Sequence, residues 1–186
     1  MHLLAVLISL VMAVFAAAET VVPVGEFRSV QLSNGGHVVI RHGAVQRVTI
    51  VSGDPQSTRI RIGRGQRLEI DSMGSCSRGL PLEVEVVTPH LAGAAVDNGG
   101  TLEVDGSFPD QPSLAASVEQ GGTVDVRAIA ADTVDASVEQ GGTIFTTARK
   151  SLDASVESGG VITYWGDVSQ VRKSVRDGGA VSRGGR

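Results

Sequence analysis

Apolar and polar residues alternate along most of this chain with a period of two. The segments 27–32, 37–41, 46–51, 59–62, 68–70 and 82–87 place apolar side chains at every second position. That spacing gathers them on one face of an extended strand and predicts six β-strands in the first half. Asn34-Gly35-Gly36 and Gly53-Asp54-Pro55 read as turns, and 71–79 as the longest loop. The second half keeps the period and also repeats itself. Leu114-Ala-Ala-Ser-Val-Glu-Gln-Gly-Gly-Thr-Val is followed by Val134-Asp-Ala-Ser-Val-Glu-Gln-Gly-Gly-Thr-Ile and Leu152-Asp-Ala-Ser-Val-Glu-Ser-Gly-Gly-Val-Ile. Looser copies flank these, Ala92-Gly-Ala-Ala-Val-Asp-Asn-Gly-Gly before and Val171-Arg-Lys-Ser-Val-Arg-Asp-Gly-Gly after. Each copy is a pair of short strands around a turn, where glycine takes up a positive φ without the Cβ penalty.

The Gly-Gly pairs begin at Gly99, Gly121, Gly141, Gly159 and Gly178. A unit of about 20 residues cannot bury its own apolar face, but copies laid side by side about 4.8 Å apart can share one. Four inward columns then follow: Leu114, Val134, Leu152 and Val171; Ala94, Ala116, Ala136 and Ala154; Val96, Val118, Val138, Val156 and Val175; and Leu102, Val124, Ile144, Ile162 and Val181. They predict an all-β, single-domain fold: a right-handed parallel β-helix, or β-solenoid, with coils of about 20 residues. The alternative is a β-sandwich or a roll of hairpins. The strands of 19–90 are expected to cap or begin the stack that the repeats of 91–186 continue.

Residues 1–18 read differently. An apolar run from Leu3 to Ala18, broken only by Ser9, ends in Ala16-Ala17-Ala18 before Glu19. Small residues at these positions predict a signal peptide cleaved after Ala18, although the n-region holds His2 and no Lys or Arg. The run falls short of the roughly 20 residues of a membrane-spanning helix, and no second apolar run follows. The chain is therefore expected to be exported, to the periplasm, cell surface or medium, with no transmembrane segment in its mature part.

Charge then narrows the function. The net charge of −4 conceals a division. Residues 19–90 carry 8 basic and 7 acidic side chains, 91–170 carry 3 and 12, and 171–186 carry 5 and 1. An acidic block precedes a basic end, with no overall basic field for nucleic acid. Aromatic residues make up 3% of the chain, which also argues against a base-stacking surface. A single cysteine, Cys76, excludes a disulfide framework and a cysteine zinc cage.

The ordered series of segments resembles the auto-transporter adhesin head GIN domain family of bacterial envelope proteins. The resemblance rests on Phe27-Arg-Ser-Val, His37-Val-Val-Ile, Gln66-Arg-Leu-Glu-Ile and Leu82-Glu-Val-Glu-Val-Val-Thr-Pro-His-Leu. The Gly-Gly repeats and Ile162-Thr-Tyr-Trp-Gly-Asp-Val-Ser-Gln-Val complete it. The chain departs from the family in its Glu-Gln-Gly-Gly turns, where Ser-Gly-Ser-Gly is more usual. The resemblance implies a β-helical envelope or secreted protein and no known catalysis.

Three groups of residues and one aromatic ring are candidates for binding. Asp97, Glu119, Glu139 and Glu157 occupy one repeat position, and Arg176 closes the row. Like charges at strand spacing repel, so either solvent or a cationic partner must compensate them. Ser117, Ser137, Ser155 and Ser174 form a parallel row of hydroxyls. Arg59 and Arg61 share a strand face near Arg64 and Arg67, a patch for an anionic glycan or phosphate. Trp165 offers a ring for a sugar, although one of Tyr164 and Trp165 is expected to close the end of the stack. The calcium nonapeptide pattern is absent, so no metal site is expected and no cofactor is implied. Cys76 has no cysteine-protease signature around it, and no catalytic residue is assigned. The expectation is a non-enzymatic protein that presents repeated edges to an envelope glycan or protein. The alternatives are a polysaccharide-active enzyme, which needs two carboxylates about 5–9.5 Å apart in a cleft, and a self-assembling scaffold.

Overall fold

The computed structural model describes residues 19–73 and 81–185. The expected signal peptide, Cys76 and most of the loop expected over 71–79 lie outside these residues. The described chain is all β apart from one 3₁₀ turn, Pro55–Ser57. The first-half strands are β1 (Thr20–Val22), β2 (Ser29–Ser33), β3 (His37–His42), β4 (Arg47–Ser52), β5 (Thr58–Ile62), β6 (Arg67–Ser72) and β7 (Glu83–Thr88). The second half contributes β8 (Gly93–Asp97), β9 (Thr101–Asp105), β10 (Gln111–Gln120), β11 (Thr123–Gln140), β12 (Thr143–Ser158), β13 (Val161–Trp165), β14 (Gln170–Val175) and β15 (Ala180–Arg183). Asp71 and Ser72, expected in the loop, belong to β6.

The expected parallel β-helix is not what forms. All fifteen strands belong to one hydrogen-bonded sheet, whose main path runs through eleven strands in the order β1-β4-β7-β3-β9-β11-β10-β8-β2-β6-β5. The sheet is mixed: β1 with β4, β4 with β7 and β5 with β6 pair antiparallel. It curls into a nearly closed barrel around one core. The physical reason lies in β11 and β12, which run unbroken for 18 and 16 residues where separate coils would need corners. Register shifts between Asp125/Ala130 and Ala131/Thr133 bend them while the ladder continues. Bulges of this kind sharpen bend and twist without ending the pairing.

The expected columns do form inside this sheet. Leu114 pairs with Val134, Val134 with Leu152 and Leu152 with Val171. Ala94, Ala116, Ala136 and Ala154 align, as do Val96, Val118, Val138, Val156 and Val175. Leu102, Val124, Ile144, Ile162 and Val181 make the fourth column. Except for Val171, Val175 and Val181, which belong to the last two strands, these side chains are buried. The first half joins the same ladder, with β2 beside β8 and β3 beside β9.

Asn34-Gly35-Gly36, expected to be a turn, is a further member of the Gly-Gly series. The carbonyls of Gly36, Gly100, Gly122, Gly142 and Gly160 accept, in turn, from the N–H groups of Thr101, Thr123, Thr143, Val161 and Ala180 at 2.9–3.0 Å. The two glycines of a pair do different work. A Cβ on Gly141 would point into open space, whereas one on Gly142 would lie 2.5 Å from Val118 Cγ1 and 3.0 Å from the Gly122 carbonyl oxygen. The first glycine supplies a positive φ, and the second lets one turn rest on the next.

Candidate functional site

The outward positions of β2, β5, β6, β8, β10, β11, β12 and β14 form one face, and strand register arranges them in rows. One row runs Arg59, Asp71, Ser33, Asp97, Glu119, Glu139, Glu157 and Arg176. The adjacent row runs Arg61, Glu69, Gln31, Ala95, Ser117, Ser137, Ser155 and Ser174. A third holds Gly93, Ala115, Asp135, Asp153 and Arg172. The structure thus brings Arg59 and Arg61 onto the same face as Asp97, Glu119, Glu139 and Glu157. In the sequence they look like a separate patch.

Between the two acidic rows lies a shallow groove of about 640 Å³. Its floor is made of small side chains, Ala95, Ala115, Ser117, Ser137 and Ser155, and its rims carry Asp97, Glu119, Asp135 and Asp153. Small outward residues leave the backbone close to the surface, which makes the groove. At the first-half end it meets Arg28, Gln31 and Arg67, where Arg67 donates to Gln31 Oε1 at 2.9 Å.

The electrostatics of this face differ from those of the remaining surface. Elsewhere several carboxylates are paired. Arg41 bridges Glu85 and Asp105, Arg127 forks onto Asp125, Arg149 meets Asp110, and Lys150 Nζ lies 2.7 Å from Asp132. These pairs leave their mark on titration. The hydrogen bond to Asp105 raises Arg41, and the one to Asp125 raises Arg127. The hydrogen bond from Lys150 lowers Asp132 below its usual value. By contrast, the side chains of Asp97, Glu119, Glu139 and Glu157 have no hydrogen-bond or ion-pair partner among the described residues. Arg61 is held by Glu69 at 2.7 Å, while Arg59 has no such partner among those residues. Among the described residues, no three His, Cys, Asp or Glu side chains converge to hold a metal ion.

Trp165 does not join this face. It lies on β13, where the Arg127 guanidinium sits 5.1 Å from its ring centre and 5.1 Å from that of Phe145. Its indole N–H donates to the Gly185 carbonyl at 3.0 Å, and a Cβ on Gly184 would collide with the ring. Trp165 is therefore a clasp on the C-terminal strand. Tyr164 points inward and is buried, with Lys173 Nζ 5.4 Å above its ring and donating to the Val181 carbonyl at 3.0 Å. Tyr164 and Lys173 together close this end of the core. The sequence reading overlooked Asp71, Asp135 and Asp153. The Asp-Ala-Ser-Val-Glu repeat carried the signal for the last two; Asp71 becomes visible only once β6 is known to lie beside β2.

The fold and its repeats belong to a recognised class of adhesin-related domain. The family model described as "Putative auto-transporter adhesin, head GIN domain" matches residues 26–145 and 111–167, and the chain is a member of that family. A solved adhesin-like protein from Bacteroides fragilis is 17% identical over 89% of this chain and 96% of its own, with a TM-score of 0.45. Another, from Parabacteroides merdae, is 12% identical over 90% and 96%, with a TM-score of 0.44. A protein from Parabacteroides distasonis, described as lipid-binding, is 12% identical over the same shares, with a TM-score of 0.40. Overlaps this loose carry no inference about function. No curated protein matches the chain.

Proposed function

We propose that this chain is a non-enzymatic adhesive module, exported from the cell, that binds an envelope component along the groove between its two acidic rows. Family membership supports the adhesive class. The observation that carries the site is the row Asp97-Glu119-Glu139-Glu157, four like charges on adjacent strands whose side chains have no ion-pair partner among the described residues. Four like charges at strand spacing raise the free energy of the isolated protein. A ligand with cationic groups repeating at a similar spacing removes that repulsion as it binds, whether it is a basic polypeptide segment or an amine-bearing glycan. The Ser117, Ser137 and Ser155 hydroxyls supply donors and acceptors beneath it. Asp97 and Glu119 on one rim and Asp135 and Asp153 on the other line an open groove, and Glu139 and Glu157 continue the first row past it, an arrangement suited to a repetitive ligand rather than to bond cleavage between two converging acids.

The test compares the protein with a variant carrying Glu119→Gln, Glu139→Gln and Glu157→Gln. Both are screened by thermal melt against oligolysine, chitosan oligomers and neutral and acidic glycans. The reading expects cationic ligands to raise the melting temperature of the parent and not of the variant. Equal shifts in both proteins, or shifts with acidic glycans alone, would discard the groove as the site.

A further inference from the structure

β14 is one edge of the sheet. This strand hydrogen-bonds to β12 on one side, and no described strand pairs with its other side. All six of its residues are exposed. Val171 and Val175 top two inward columns, yet they stand 37% and 45% exposed because no further strand covers them. A strand with free backbone groups and uncovered apolar side chains is a template for one more strand.

The charges on this edge select which strand. In the repeats, Asp135 and Asp153 occupy one outward row and Glu119, Glu139 and Glu157 another. β14 and the residue after it replace these with Arg172 and Arg176. Arg172 reaches Asp153 only at 3.8 Å, and Arg176 has no ion-pair partner among the described residues. A strand laid beside β14 in the repeat's own register sets a carboxylate against each arginine, four residues apart, and apolar side chains over Val171 and Val175. Cross-strand pairs of opposite charge favour that strand and like charges reject others.

A second copy does not satisfy the edge. Joining β14 to β14 opposes Arg172, Lys173 and Arg176 with themselves, joining it to β5 opposes them with Arg59 and Arg61, and the other strands paired on one side only, β1 and β15, hold no carboxylates four residues apart. The Asp-Ala-Ser-Val-Glu strands of another copy are already paired on both sides within their own sheet. We propose that the free edge of β14 takes up an extended acidic strand from another protein, with carboxylates four residues apart seated on Arg172 and Arg176. This edge uses different residues from the groove, so either reading can fail alone.

The probe is a labelled synthetic peptide with the sequence of residues 151–160, Ser-Leu-Asp-Ala-Ser-Val-Glu-Ser-Gly-Gly, titrated against the full protein and followed by anisotropy. Hydrogen exchange of the β14 amides is measured in parallel. The expected result is saturable, salt-sensitive binding with slowed exchange over 170–176. The R172E/R176E variant alters two exposed side chains, sets Glu beside Asp153 and Glu157, and should melt only a few degrees below the parent, but bind the peptide about tenfold or more weakly. A peptide with Lys in place of both acidic residues should regain affinity for that variant. Absence of saturation, binding unchanged in R172E/R176E, or protection confined to other strands would overturn the proposal. So would concentration-dependent dimerisation of the protein alone with β14 protected, which would make the occupant a second copy.

Discussion

Replacing Gly142 by alanine tests the stacked turns most directly, because Gly141 provides an internal control one residue away. Both glycines have positive φ, +71° for Gly141 and +97° for Gly142. Alanine at Gly141 meets no atom within 4 Å and carries only the left-handed backbone cost, about 1–2 kcal/mol. Alanine at Gly142 carries a similar cost and drives its methyl to 2.5 Å from Val118 Cγ1 and 3.0 Å from the Gly122 carbonyl oxygen. Neither neighbour can retreat cheaply. Val118 is buried between Val96 and Val138, and the Gly122 carbonyl accepts the Thr143 N–H at 2.9 Å. Overpacking of this kind adds about 1–3 kcal/mol. The expected losses are thus about 1–2 kcal/mol for Gly141→Ala and about 2–5 kcal/mol for Gly142→Ala. For a chain of this length each kcal/mol moves the melting midpoint by about 2–4 °C. Paired thermal and urea melts measure the difference, and Gly141→Asn should be milder than Gly141→Ala because asparagine tolerates the left-handed region. Equal losses at Gly141 and Gly142 would refute the argument that contact between neighbouring turns, rather than φ alone, demands the second glycine.

The same structure sets further expectations. Val138→Ala removes two methyl groups from a fully buried column position and should cost about 2–3 kcal/mol in urea unfolding, with little change in the m-value. Trp165→Ala should leave the global melt within a few degrees but accelerate hydrogen exchange in β15, because the ring pins Gly184 and Gly185. Asp132 and Asp54 titrate below their ordinary value of 3.8, held by Lys150 and by Ser57 with the Gln56 N–H respectively. Since the folded form of each is the more acidic, their stabilisation is present above the ordinary carboxylate value and fades as pH falls through the folded midpoint. Carboxyl NMR titration should show both low midpoints, and Lys150→Met should raise that of Asp132 while leaving that of Asp54 in place. The Glu119→Gln, Glu139→Gln and Glu157→Gln variant should match or slightly exceed the parent in stability, since the change relieves repulsion on an exposed face. A large loss in a thermal melt would mean that these carboxylates serve the fold.

Period-two alternation and tandem repetition determined a great deal without any coordinates. Identical short units must share a core, so the inward columns of Leu114, Ala116, Val118 and Val124 with their repeat partners were readable from spacing alone. So was the acidic row, because a repeat position that stays outward in one copy stays outward in all. The family, too, was legible in the order of its segments. Tertiary structure decided how the sheet closes. Spacing cannot distinguish a turn at each corner from a bulged strand that continues through it, and β11 and β12 continue, turning an expected β-helix into one mixed, nearly closed sheet. It also decided the company the site residues keep. Asp71, Ser33 and Asp97 are far apart in the chain and become neighbours when β6, β2 and β8 pair, which carries Arg59 and Arg61 onto the acidic face. Trp165 went to a clasp on β15 instead, held by Arg127 and Gly185. Local pattern specifies which way a side chain points from its strand, while long-range pairing specifies what stands beside it.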